Sequence, residues 1–431
     1  MNVIQERLAA LRSKMQEHGI NYYVVPTADF HQSEYVGEHF KARKFITGFS
    51  GSAGVAVVGL DGAWLWVDGR YFLQAGEQLQ GTTVELMKMG EPGVPTLDAF
   101  INSNLKKGEK IGFDGRVVSM DEGQLYDEIA KKHEGCIEYS VDLIDEIWTD
   151  RPPLSEKPAF ELEVKYTGKT VAEKLADIRE KMVEAEADMH VVTTLDDICW
   201  TLNIRGDDID FFPLVLSYAL MDANEYHLYI DERKLSDEIK AHFEKDGVVL
   251  HPYNDIYEDI KYIPEDTKLM LDASKVNYAL FCNIPESVKK IDMMNPEMIF
   301  KNVKNNVELE NIRKAQIKDS IAHLRLMKWL KENVGKIEMT ELSVANKLDE
   351  FRAELGNFIR PSFEPISSYG AHAAIVHYAP SPETDIPVLP KGLHLTDTGA
   401  GFYEGSTDIT RTYVVGEITD QMKKDFTLVA I

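Results

Sequence analysis

The sequence predicts an α/β protein built from two copies of one strand–helix unit, followed by an α+β segment that opens on a long helix. Three observations carry this. The same order of apolar strands and amphipathic helices occurs twice, about 160 residues apart. From residue 304 the alternation gives way to two amphipathic helices and then to β-rich segments. The length, 431 residues, suits about three domains of roughly 100–200 residues each.

In the first copy, Ile4, Leu8, Leu11 and Met15 recur at helical spacing and the pattern stops at Gly19. "NYYVVP" then reads as a buried strand. "GVAVVGL" and "AWLWVD" read as a hairpin closed by Asp61-Gly62, a pair that accepts positive φ. A helix near residues 71–80, a strand at "VELMKM", a helix at "TLDAFINSNL" and a strand at "KIGFD" complete it. The second copy repeats this from "TVAEKLADIREKMVEAEA" through "MHVVTT", "PLVLSYALM", "EYHLYID", "RKLSDEIKAHF", "GVVLHP" and "DIYEDIKYI" to "KLMLDA". The proline-rich "DRPPLSEKPAF" joins the copies, so domains are expected at residues 1–155, 156–303 and 304–431. The third opens on a helix carrying Leu309, Ile312, Ile321, Leu324 and Leu330. A second helix is capped by Thr340 and ends near Gly356. "AAIVHY" reads as a strand.

A formal net charge of −25 repels phosphate backbones and anionic lipid, which excludes nucleic acid and membrane surfaces as partners. No run of about 18 apolar residues occurs, and the charged N-terminal segment is no signal peptide. Cys136, Cys199 and Cys282 form no CxxC pair and read as reduced, buried thiols in a cytoplasmic protein. "GFSGSAG" lacks the Gly-Lys-Ser/Thr ending of a phosphate loop, and HExxH and GxSxG motifs are absent.

The chemistry concentrates in "HLTDTGAGFYEGSTDITRTYVV". Asp397 and Asp408 lie equally far from the Phe402–Tyr403 peptide, so a hairpin closed there sets them opposite each other, Cβ atoms about 4.5–5.5 Å apart. A bulge at Gly401 or Gly405 would shift this by a residue. Facing carboxylates repel unless a proton or a cation lies between them, and oxygen donors favour hard or borderline dications. By spacing alone, two solvated turn acids are the commoner outcome.

The run "DTGAGFYEGSTDITRT" resembles the first metal-ligand segment of the pita-bread metallopeptidases, which include methionine aminopeptidase, prolidase and aminopeptidase P. The resemblance implies that Asp397 chelates one metal and Asp408 bridges two divalent ions, manganese being the expected metal. "ISSYGAHAAIVHYAP" is similar to the family's A-[IV]-x-H-Y segment, which implies that His377 donates a hydrogen bond to the peptide or its oxyanion. No role is given to His372. The two N-terminal repeats, with "TADFHQSEY", "FITGFSGSAGVAVV", "WVDGRYFLQA" and "LIDEIWTDRPP", resemble the long form of aminopeptidase P: two creatinase/prolidase-like domains before the pita-bread domain. That form removes an N-terminal residue preceding proline by a metal-bridging hydroxide, as a homodimer. It also implies that His31 and Glu34 approach a neighbouring subunit's active site.

The family's remaining ligands, one His and two Glu, belong to segments of Gly-His-Gly, E-P-G-x-Y and Arg-x-Glu type that this sequence does not contain. The chain is therefore expected to stop within its pita-bread domain and to be inactive by itself. The alternative is a non-catalytic pita-bread module that binds peptides or proteins.

Overall fold

A computed structural model describes residues 2–431, which form two compact units. One comprises residues 2–164 and Lys169–Val303, the other Lys165–Gly168 and Lys304–Ile431.

The first unit contains two six-stranded sheets of the same topology. One runs Glu85–Lys88, Ala63–Val67, Val55–Gly59, Tyr22–Pro26, Lys110–Phe113, Cys136–Glu138. The other runs Val248–His251, Tyr226–Ile230, Ser217–Met221, Met189–Val192, Lys268–Leu271, Lys289–Asp292. Along each the pairings read parallel, antiparallel, antiparallel, parallel, parallel. The opening helix, Val3–Glu17, starts at an Asn2–Gln5 capping box and buries Ile4, Leu8, Leu11 and Met15. The predicted hairpin forms around Leu60–Gly62, but for a different reason than expected. Gly62 does not have positive φ; a Cβ there would lie 2.4 Å from the Trp64 ring.

Pattern reading missed the helix Met120–Lys132, whose internal Gly123 is a poor helix former. That glycine is required by packing, because a Cβ would lie 2.1 Å from the Tyr278 ring of the second copy. Here the copies meet reciprocally. Met120 N–H donates to Val276 C=O and Tyr278 N–H donates to Val118 C=O, each at 2.8 Å. Between these bonds Ser119 lies against Asn277, and both residues are N-caps of their own helices. Phe30, Val36, Phe40 and Met120 of the first copy join the second copy's core.

In the second unit, a 28-residue helix, Asn306–Asn333, packs on the helix Glu341–Ala353. The apolar stripe named from the sequence is not the buried face: Leu309, Ile321 and Leu324 are exposed and only Leu330 is fully buried. The inward face instead carries Asn311, Ala315, Asp319, Ala322, His323, Leu326 and Leu330. Its polar members defeat a periodicity search. The expected strand at "AAIVHY" is also absent: Ile366–Tyr369 is the strand, Gly370 ends it at φ 61°, Gly370–Ala374 is a 3₁₀ turn and residues 375–377 are turn or bend. Leu393–Thr398 pairs antiparallel with Ile366–Tyr369 on one side and Ile409–Val414 on the other. Ala400–Phe402 pairs with Phe358–Pro361 and Gly405–Ser406 in a separate sheet. The crossing between sheets falls at Gly399, where a Cβ would lie 2.0 Å from Ser362 Oγ and 2.1 Å from Thr407 C=O.

Candidate metal centre

The hairpin closes at Tyr403–Glu404, one residue beyond the expected point, because Phe402 pairs with Gly405. Asp397 therefore faces Thr410, and Asp408 falls level with Gly399, diagonal to Asp397 on the same face. The directly opposed carboxylates expected from symmetry are corrected to a diagonal pair. Thr410 Oγ donates to Asp397 Oδ1 at 2.6 Å. Partial burial first, then the negative field of Asp397, raises the Asp408 pKa above the usual carboxylate value.

A carboxyl whose folded-state pKa is raised is destabilising once it ionises. Asp408→Asn should accordingly raise the thermal midpoint near neutral pH, and the gain should vanish as pH falls below about 3.9, the unfolded value. Matched melting curves at pH 7 and pH 3.5 check this; an unchanged or lowered midpoint at pH 7 would contradict it.

The opposite face of the same strands is anchored in a buried polar layer. Arg352 is fully buried and grips fully buried Asp319, Nε to Oδ1 at 2.7 Å and Nη2 to Oδ2 at 3.2 Å. Arg352 Nη2 also donates to Thr398 Oγ at 3.1 Å, and Thr407 Oγ donates to Asp319 Oδ2 at 2.6 Å. Thr398 follows Asp397 and Thr407 precedes Asp408, so one ion pair holds the inward neighbours of both carboxylates. His323 lies 3.4 Å from Thr398 Oγ and 3.1 Å from Tyr413 OH, and burial lowers its pKa to about 4. His394, in the same strand as Asp397, is likewise lowered to about 4 by burial.

A second buried carboxylate, Glu341, organises the segment bearing His377. It accepts from Tyr369 N–H at 2.6 Å, His372 Nδ1 at 2.9 Å and Tyr378 OH at 2.7 Å. His372, given no role from the sequence, thus anchors this segment. His377 is half-buried at the end of the turn, beside buried Tyr378. The strand leading to it places Ile366 opposite Asp397. Nothing in the sequence marks Glu341, which reads as an ordinary acid in a helix's first turn. Glu341→Gln turns an amide N–H₂ toward donors and should cost about 1–3 kcal/mol. Amide exchange should then accelerate across residues 369–378; unchanged protection there would dismiss the anchor.

Residues 7–145 and 150–308 each match the creatinase/prolidase N-terminal domain, and residues 310–430 match metallopeptidase family M24. The chain is 38% identical over 438 residues to a probable Xaa-Pro aminopeptidase P of Sordaria macrospora, covering 98% of this chain and 71% of that protein. The chain belongs to the Xaa-Pro aminopeptidase P family. The Neurospora crassa relative is 37% identical, with 98% of this chain and 64% of that protein covered. The solved X-prolyl aminopeptidase of Caenorhabditis elegans, described as a cytosolic enzyme with a di-nuclear active site, superposes with a TM-score of 0.93 at 33% identity. It is covered over 98% of this chain and 71% of its own. The chain thus spans about two thirds of the length of these aminopeptidase P relatives.

Set against the needs of an aminopeptidase P metal pair, Asp397 and Asp408 have the right donor chemistry but form only part of a coordination shell. Among the described residues, no three or more His, Cys, Asp or Glu side chains converge to hold an ion. The residues present fit a metal pair incompletely.

The other two candidates, His31 and Glu34, belong to the first unit. His31 is 1% exposed; its Nδ1–H donates to Thr193 C=O at 2.8 Å, and Nε2 accepts from Tyr253 OH at 2.6 Å. With both nitrogens engaged inside the unit, its ring ties the first copy to the second. Glu34 is exposed.

Proposed function

We propose that the gene's whole product is a metal-dependent aminopeptidase that removes the N-terminal residue from peptides with proline in second position. The observation that carries the reading is the Asp397–Asp408 pair, held on one face of a hairpin by a buried ion pair behind it, in a chain of the aminopeptidase P family. A pair of divalent ions, manganese being the proposed metal, would supply an activated water at neutral pH when bound. Asp397 and Asp408 would serve as two of its carboxylate ligands. His377 would donate a hydrogen bond to the X–Pro carbonyl as negative charge develops on it, and the Glu341 anchor would fix its position. Glu34 stays the exposed candidate for contact with a second subunit of a homodimer. A cytoplasmic location accords with three free thiols, of which Cys199 is buried while Cys136 and Cys282 are exposed, contrary to the expectation that all are buried. These 431 residues alone should bind metal weakly and not turn over.

The test is a matched assay of this chain and of the longest product read from its gene, with an X-Pro peptide and added Mn²⁺, counting bound metal in parallel. Hydrolysis and about two metals in the longer product alone support the reading. Failure of the longer product on both counts favours a non-catalytic peptide-binding pita-bread module.

A further inference from the structure

In the second sheet of the first unit, two histidines meet. Tyr226–Ile230 and the edge strand Val248–His251 run parallel, with His227 opposite Val249 and Tyr229 opposite His251. On that register His227 Nδ1 comes within 3.0 Å of His251 Nε2. The outer nitrogens look at carboxylates: His227 Nε2 lies 3.6 Å from Glu225 Oε2, and His251 Nδ1 lies 3.8 Å from Asp259 Oδ2. Tyr229 stacks on His251, ring centroids 4.8 Å apart, and its OH donates to Asp259 Oδ2 at 3.1 Å. The two imidazole side chains are 22% and 27% exposed, so solvent reaches them.

A neutral imidazole carries one N–H. If each ring turns that proton toward its carboxylate, two lone pairs meet at 3.0 Å and require an electrophile between them. Carboxylate–histidine–metal triads have this outer-shell arrangement. Two nitrogens bound at about 2.0–2.1 Å to one tetrahedral Zn²⁺ stand about 3.3 Å apart, within a small side-chain adjustment of the observed contact. Imidazole nitrogen suits zinc-class ions better than the hard ions favoured by carboxylates.

We propose that His227 and His251 form an accessible site for one divalent ion of the zinc class. Glu225 and Asp259, within ion-pair range of the outer nitrogens, would take their N–H groups when the ion binds, and water completes the shell. Zn²⁺ alone is the probe, titrated by calorimetry into the full chain carrying Asp397→Asn and Asp408→Asn, which removes the hairpin carboxylates as competitors. One saturable equivalent is expected. His227→Gln and His251→Gln should each weaken it by more than about tenfold, and Asp259→Asn by about tenfold, within the range typical of losing a partner that orients a metal's histidine ligand. Absence of saturable binding, or His variants that retain full affinity, would reduce the contact to a plain His–His hydrogen bond. As a readout free of variants, Zn²⁺ should protect both histidines from carbethoxylation, mapped by mass spectrometry. Equal labelling with and without Zn²⁺ would overturn the site.

Discussion

Arg352→Met should destabilise the second unit by about 3–5 kcal/mol, the typical result of stranding one partner of a buried ion pair. The loss is larger than that of a single hydrogen bond because Asp319 keeps its charge in a dry setting, where Thr407 still donates to it but no longer beside a cation that grips both its oxygens. Thr398 loses its Arg352 partner at the same moment. Replacing both partners, Asp319→Leu with Arg352→Met, should recover part of the loss, since a buried pair exchanged for apolar volume is often near neutral. Urea denaturation of the single and double variants measures this. A single-variant cost under about 1 kcal/mol would show that the pair is not what holds the hairpin. If the double variant folds yet binds metal less well than the parent, the pair also sets the carboxylate geometry.

His377→Ala should lower kcat of the gene's whole product by about 10²–10³-fold, the usual cost of losing one donor to a developing oxyanion. KM should change little, because the interaction strengthens as charge accumulates. His377→Gln, which keeps an N–H donor, should restore part of the rate. A fall in kcat/KM carried wholly by KM would instead make His377 a binding residue. A variant as fast as the parent would remove it from the reaction. Bound metal should stay constant throughout, separating this effect from damage to the carboxylate pair.

The sheets were legible because their strands are short apolar runs bounded by turn residues, and the opening helix because Ile4, Leu8, Leu11 and Met15 share one buried face. The long helix was legible in extent but not in orientation. Its inward face is built around Asp319 and His323, which a hydrophobicity pattern assigns to solvent. Gly123 misled in the same way, since its value lies in the Tyr278 ring it admits from far along the chain. At the candidate centre, sequence symmetry found the right two aspartates and the wrong register. The turn at Tyr403–Glu404 is selected by tertiary contacts at Gly399 and Gly405 that spacing does not reveal. Glu341 was invisible for a related reason: its three donors, Tyr369, His372 and Tyr378, converge only because the chain turns at Gly370, and Tyr378 belongs to a run read as a strand.

The reciprocal joint at Ser119 and Asn277 makes the two N-terminal copies a dimer that happens to share a covalent tether. A protease cut within Arg151–Lys157 would therefore yield two fragments that travel together through gel filtration, parting only when both unfold. For the same reason neither copy is a spare part. Deleting one would expose the other's helix caps and the shared apolar core.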